Sequence, residues 1–234
     1  MSENKDQLKA AAAESAAALV RNGMIVGLGS GSTAALAVSA LGRRVGGGLR
    51  ITGIPTSEGT AAQAKALGIP LTTLAEVPGI DMTIDGADEV EQGSLDLIKG
   101  LGGALLREKL VATATKALVI VADSGKLVTH LGAHDPIPVE VVPFGWESTA
   151  ARLAELGAAP TLRRNTMREV FVTDGGHYIL DCRFPSIASA ESLASALDHV
   201  VGVVEHGLFI GMTSEVHLAG AEGVRVLKRR MERR

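Results

Sequence analysis

Along the first half of the chain, short apolar runs rich in β-branched residues alternate with helical stretches, and nothing else in the sequence restricts the fold as much. The runs are MIVGLG, LRITGIP, IPLTTL, DMTID and ALVIVAD, and each reads as a strand. Between them lie STAALAVSALGRR, TSEGTAAQAKALG and the stretch following LIKGLGG, which carry helical patterning. An Ala-rich opening helix over residues 4–21, stopped by Asn22-Gly23, precedes the first strand. Strands that return through helices predict a mostly parallel sheet covered on both faces, the α/β class.

The pattern changes after about His134. PIPVEVVPFG, the helix WESTAARLAELG, PTLRR, a hairpin REVFVTDGGHYILDCRF turning at Asp-Gly-Gly, the helix ASAESLASALDHV and the strand GVVEHGLF follow in order. That order is close to βαβ–βαβ on an antiparallel sheet, a ferredoxin-like arrangement. It predicts a smaller unit at 132–205, inserted into a Rossmann-like main unit formed by 1–131 and 206–234. The last stretch, LFIGMTSEVHLAGAEGVRVL, reads as strands rejoining the first sheet.

Composition narrows the function. The 234 residues carry a net charge of −3, which gives no basic field for nucleic acid or anionic lipid. One Trp, one Tyr and four Phe leave nothing to build a base-stacking platform. The basic end LKRRMERR reads as a solvated terminal tail. Cys182 is the only cysteine and sits in a strand pattern, so it is expected to pack, in a reducing compartment. Glu14 and Ser15 interrupt the alanine tract, so the N-terminal segment is neither a signal peptide nor a membrane span, and a cytoplasmic location is expected.

Four stretches carry chemistry. Gly27-Leu28-Gly29-Ser30-Gly31-Ser32-Thr33 joins a strand to a helix, bringing backbone amides, a helix N-terminus and three hydroxyls to one turn, which suits a phosphate. It is a poor dinucleotide fingerprint, because Ser32 replaces the third glycine and no acidic residue ends the next strand. Asp85 and Asp88 follow DMTI at the carboxyl end of a strand, where they can bind sugar hydroxyls, move protons or hold a metal. Lys99 precedes a glycine turn and Glu108 opens the next helix, a pairing that offers a general base and an oxyanion donor as well as the plainer helix-dipole role. Lys126, in Asp-Ser-Gly-Lys, adds a cation at the same sheet edge. His130 and His134 have i,i+4 spacing, but Gly132 and Pro136 argue against a helix there, so no metal site is expected.

GLGSGSTA, TSEGTAAQAKALGIPL, IDGADEV, IKGLGGALLREKLVA, ADSGKL, PIPVEVVPFG, VTDGGHYILD and VVGVVEHGLF, in this order, resemble the type A ribose-5-phosphate isomerase family over nearly the whole chain. The resemblance implies a Rossmann-like domain with a ferredoxin-like lid. The implied activity is interconversion of ribose 5-phosphate and ribulose 5-phosphate through an enediolate, without metal or cofactor, in a homo-oligomer (dimer or tetramer). It implies Glu108 as base, Asp85 and Asp88 as sugar-contacting carboxylates and Lys99 as the active-site lysine. Ser30, Gly31, Ser32, Thr33 and Lys126 fall on phosphate-binding positions, with Lys9 an addition from the first helix. Ser30 replaces a frequent threonine, and Leu101 and Leu106 stand where glycine or alanine and threonine are common. Related architectures leave two other readings, an amino-sugar phosphate isomerase-deaminase and a sugar-phosphate sensor domain.

Overall fold

A computed structural model describes residues 2–229, with side chains from residue 6 onward. The end of the basic tail, 230–234, lies outside the described residues. The elements are α1 (Ser2–Ala17), β1 (Ile25–Leu28), α2 (Ser32–Gly46), β2 (Thr52–Pro55), α3 (Glu58–Ala66), β3 (Met82–Gly86), β4 (Glu89–Glu91), β5 (Leu97–Ile98), α4 (Leu105–Thr113) and β6 (Leu118–Asp123). They continue with β7 (Leu127–Val128), β8 (Ile137–Val141), α5 (Trp146–Glu155), β9 (Ala159–Leu162), β10 (Tyr178–Arg183), α6 (Ala190–Asp198), β11 (Val203–His206), β12 (Leu208–Phe209), β13 (Thr213–Gly220) and β14 (Gly223–Lys228).

The main sheet has the order β14-β13-β6-β3-β1-β2, parallel throughout except for the β13–β14 hairpin. Strand β6 shows why LVIVAD belongs at its centre. Every residue is buried, and alternate side chains serve two cores. Val119 and Val121 face the cluster built with α1 and α2, while Leu118, Ile120 and Ala122 join Leu97, Phe209 and Val216 on the other face. Burying each such branched side chain contributes roughly 1.5–3 kcal/mol. From β1 the chain proceeds outward to β2, and from β3 it proceeds the other way, to β6 and β13. The topological switch therefore falls between the carboxyl ends of β1 and β3, where open α/β sheets form their crevice.

Strands β8, β9, β10 and β11 make a second, antiparallel sheet in the order β11-β8-β10-β9, with α5 and α6 as its helices. This is the ferredoxin-like pattern, and its core includes Ile137, Val139, Val141, Leu153, Leu180 and Leu197. Cys182 is buried in the same core, as packing predicts. The fold class is thus α/β, a Rossmann-like sheet joined to an α+β ferredoxin-like unit.

Local expectations needed correction. The first helix ends at Ala17 rather than 21, and Asn22 instead accepts a hydrogen bond from Arg50 N at 2.8 Å. IPLTTL is not a strand: among the described residues it pairs with the main sheet at one bridge, Leu71–Gly53, while Ile69 packs into the core beneath. REVFVT is not a hairpin arm, because β9 already occupies that edge of β10 and leaves it a single bridge, Val170–Arg164. GVVEHGLF is two strands in different sheets. Gly207 N donates to Pro138 O and Gly207 O accepts from Lys99 N, which diverts the chain from β8 to β5. A third small sheet, β12-β5-β4-β7, was not anticipated.

Candidate active site

The loop after β1 and the loop after β3 meet at the switch point. Asp85, the fourth residue of β3, turns its carboxylate under the first loop, where Oδ1 accepts from Ser30 N at 3.1 Å and Gly86 N at 2.8 Å. A side chain at position 29 would place its Cβ 2.2 Å from that carboxylate, so glycine is required there for the approach. The other oxygen, Oδ2, lies 3.0 Å from Lys99 Nζ.

Lys99 is the centre of the site. Its ammonium also reaches Gly86 O at 2.7 Å and Glu108 Oε1 at 3.1 Å, and Lys99, Asp85 and Glu108 are each no more than 5% exposed. Burial works against the lysine's charge, but Asp85 and Glu108 override it and hold the ammonium above its ordinary range. One cation faces two buried carboxyl groups. Asp85 has two amides besides Lys99, whereas among the described residues the Glu108 carboxyl accepts from Lys99 alone. Desolvation first and the Asp85 charge second push Glu108 up to about 8. Asp88 faces the same space and accepts from Leu101 N at 2.9 Å.

These groups open onto a cleft of about 200 Å³. Its far wall is the start of α2, where Gly31 is the cap residue, no side chain caps the helix and no acidic residue occupies the first turn. The first amides of α2 are thus open to an anion. Lys9 Nζ, from α1, donates to Ser32 Oγ at 3.0 Å, and Lys126 approaches from β6's end, 4.0 Å from Asp135 Oδ2. Burial raises the Asp135 carboxyl against the opposing pull of Lys126.

Of the ten residues picked from the sequence, Lys9, Ser30, Gly31, Ser32, Thr33, Asp88, Lys99, Glu108 and Lys126 line this cleft, and Asp85 lies directly behind Lys99. Leu101 and Leu106 are not on its wall. The Ser30 hydroxyl also joins a cluster that the sequence reading did not include. It lies 2.8 Å from both Thr56 Oγ1 and Ser57 Oγ and 3.1 Å from Thr60 Oγ1, a hydroxyl cluster tying the β1 loop to the start of α3. The Thr56-Ser57-x-x-Thr60 cap pattern at a neighbouring strand end was the available signal. Asp123, also on the cleft wall, caps Gly125 N through Oδ1, while its buried Oδ2 makes no hydrogen bond among the described residues. Away from the cleft, Asp198, Glu205 and His206 are close enough together to share an ion, but the Lys109 ammonium already sits 2.6 Å from Glu205 Oε1. Burial, aided by Lys109, pushes the His206 imidazole down to about 4.

A doubly wound sheet with a lysine-bridged carboxylate cluster and an open helix N-terminus at its switch point defines a Rossmann-like α/β protein built for small anionic ligands. The family model of ribose 5-phosphate isomerase A (phosphoriboisomerase A) matches residues 52–223. Ribose-5-phosphate isomerase A of Gloeobacter violaceus is 60% identical over 222 residues, covering 95% of this chain and 96% of that protein. The Synechococcus sp. protein of the same name is 57% identical over 224 residues, 95% of this chain and 97% of that one. The solved ribose 5-phosphate isomerase A of Methanocaldococcus jannaschii superposes with a TM-score of 0.92 at 40% identity, over 95% of this chain and 99% of its own. A D-ribose-5-phosphate isomerase in complex with phospho-erythronic acid gives 0.93 at 34% identity, over 96% and 99%. The chain belongs to the ribose 5-phosphate isomerase A family.

Proposed function

We propose that this chain is an aldose–ketose isomerase that interconverts ribose 5-phosphate and ribulose 5-phosphate, with Glu108 as the base. The observation that carries the assignment of the base is a carboxyl at the cleft wall, buried, bonded to a lysine and raised to about 8. Such a group is deprotonated often enough near neutral pH to take a proton, and basic enough to take it from carbon.

Isomerisation of the open-chain aldose begins when Glu108 removes the C2 proton. The C–H electrons form the C1=C2 double bond and the C1 carbonyl electrons move onto O1. Lys99 and the amides of the glycine loop after it are the donors for that developing charge. A proton passes from O2 to O1, for which Asp85 is the proposed carrier, and Glu108 returns its proton to C1 as the C2 carbonyl forms. Asp88, held by Leu101 N, orients the hydroxyls. The phosphate occupies the open end of α2 between Lys9 and Lys126, where its binding energy positions the reacting carbons. A family member holding phospho-erythronic acid, a phosphorylated sugar acid, supports a cleft with one anion-binding end and one end suited to a sugar head.

Lys99 brings a positive charge to the point between the carboxyl groups, which supports chemistry without a metal. Among the described residues no helix is long and apolar enough to cross a membrane. We assign the enzyme to the cytoplasm, and read it as a homo-oligomer, a dimer or tetramer. Phe144 and Val201, 94% and 76% exposed near the end of β8, support self-association. The ferredoxin-like sheet, spanning β8 to β11, supports a lid and oligomerisation unit at 132–205. A coupled assay for ribulose 5-phosphate formed from ribose 5-phosphate tests the assignment directly, and absence of turnover by the folded chain would sink it.

A further inference from the structure

The glycine loop that carries Lys99 into the Glu108 helix is held from outside, by the ferredoxin-like unit. Arg163 follows β9, and its Nη1 donates to Gly100 O at 2.8 Å and to Leu101 O at 2.9 Å. Asp181, on β10, fixes the guanidinium by accepting from Nε at 2.9 Å and from Nη2. Both side chains are largely buried. Phe171 grips the same loop a second time. Its backbone N donates to Arg163 O at 3.0 Å, and its ring fills the space beside Gly103, where a Cβ would lie 2.4 Å from the ring.

The peptide geometry gives these contacts a consequence. No cis peptide occurs among the described residues, so the C=O and N–H of each loop peptide point in opposite directions. The peptide joining Gly100 to Leu101 gives its carbonyl to Arg163 and its N–H to Asp88 Oδ2, on the cleft side. The next peptide also gives its carbonyl to Arg163, so its N–H, that of Gly102, points away from the guanidinium, and Gly102 itself lines the cleft. One guanidinium thus binds two consecutive peptides, the first of them also tied inside the loop by Gly103 N donating to Gly100 O at 3.0 Å. The first restrains Asp88, and the second holds Gly102 at the cleft wall.

We propose that Arg163, braced by Asp181, is a positioning residue for the isomerisation, through which the ferredoxin-like unit sets the active-site loop. This inference rests on the isomerase reading above. Arg163 does not touch the substrate. It keeps the loop from rotating its carbonyls into the cleft, where they would repel the charge that develops on O1. Arginine is suited to this because its planar fork can serve a carboxylate and two carbonyls at once, whereas a lysine ammonium is a single point.

The test compares wild type, Arg163→Ala and Arg163→Lys in the ribose 5-phosphate assay, with folding followed by circular dichroism. For Arg163→Ala, kcat should fall by about 10²-fold, the usual cost of misplacing catalytic groups by an ångström. KM should change little, because the phosphate end is built by α1, α2 and the β6 end rather than by this loop. Guanidinium ion at low, non-denaturing concentration should restore part of kcat in Arg163→Ala and none in wild type, an effect that a purely stabilising role would not produce. Arg163→Lys keeps the charge beside Asp181 and should give an intermediate kcat; it decides the matter if the alanine variant fails to fold. A folded alanine or lysine variant with kcat within twofold of an active wild type would overturn the proposal, as would a loss that guanidinium leaves unchanged. A wild type that does not isomerise the sugar would instead overturn the functional reading.

Discussion

Lys99 Nζ lies 3.1 Å from Glu108 Oε1, with both side chains almost closed to solvent, and 3.0 Å from Asp85 Oδ2 as well. A single ammonium between two buried carboxyl groups cannot neutralise both, and breaking such a cluster by removing one partner is costly. The imbalance appears on Glu108, to which no backbone amide among the described residues donates, as two do to Asp85. That is the physical difference between a carboxyl group held by two amides and a lysine and one left basic enough to take a proton from carbon.

Glu108→Gln tests this most directly. Glutamine keeps the shape and can still accept from Lys99, so the variant should fold. It cannot take the C2 proton, and kcat should fall by at least roughly 10²–10⁴-fold with little change in KM. Exchange of the substrate's C2 proton with deuterated solvent should be suppressed in parallel. A folded variant with near-normal kcat and exchange would exclude Glu108 and leave Asp85 as the leading base.

The raised value at Glu108 fixes the pH behaviour. The base form is the active one, so kcat/KM of the wild type should rise with pH and level off above about 8. Stability should run the other way. Between the unfolded value of 4.5 and about 8, the folded chain keeps a proton that the unfolded chain has lost, so this group's contribution to stability declines as pH rises through that window. Glu108→Gln removes the titration. Its melting temperature should therefore gain on the wild type from pH 5 to pH 8, and a gap that stays constant or narrows would contradict a buried, raised carboxyl.

How far the site could be read from the sequence follows from how local each signal was. Gly29, Asp85 and Glu108 sit at junctions between strands, turns and helices, where residue type and position agree, and the β-α alternation places those junctions at one sheet edge. The Rossmann-like sheet and the ferredoxin-like order were legible for the same reason. Arg163 was not, because its meaning depends on contact with carbonyls more than sixty positions away. The hydroxyl cluster around Ser30 escaped for a similar reason. Its bonding partners Thr56, Ser57 and Thr60 belong to another loop, and a hydroxyl beside an anion site satisfies itself with whichever acceptor is nearest. The break at Gly207 escaped because two apolar runs separated by one glycine look like a single strand until each finds a different sheet.

Activity should survive exhaustive treatment with a chelator. The ammonium of Lys99 already supplies positive charge among Asp85, Glu108 and the Gly86 carbonyl, so a divalent ion there would have to displace or repel it. The separate group at Asp198, Glu205 and His206 lies off the cleft and carries its own lysine. If chelation abolished turnover and only added divalent ion restored it, Asp85 and Asp88 would have to be reassigned as ligands.

The phosphate end of the cleft makes the last prediction. The first turn of α2 has neither a side-chain cap nor an acidic residue, so its amides and the partial positive charge of the helix end are unspent. Lys9 is anchored on Ser32, and Lys126 is held only loosely by Asp135 at 4.0 Å, which leaves its ammonium able to turn to an incoming anion. Free ribose should consequently react far more slowly than ribose 5-phosphate, and inorganic phosphate should compete with substrate. Lys126→Ala should raise KM by about 10-fold or more, the worth of a charge-assisted contact of 1.5–3 kcal/mol, and weaken inhibition by phosphate in step. Its kcat at saturation should fall less than kcat/KM, because the amides of α2 and Lys9 remain to hold the substrate's end. Equal turnover of ribose and its phosphate, or a Lys126→Ala enzyme with unchanged KM and unchanged sensitivity to phosphate, would show that the anion binds elsewhere.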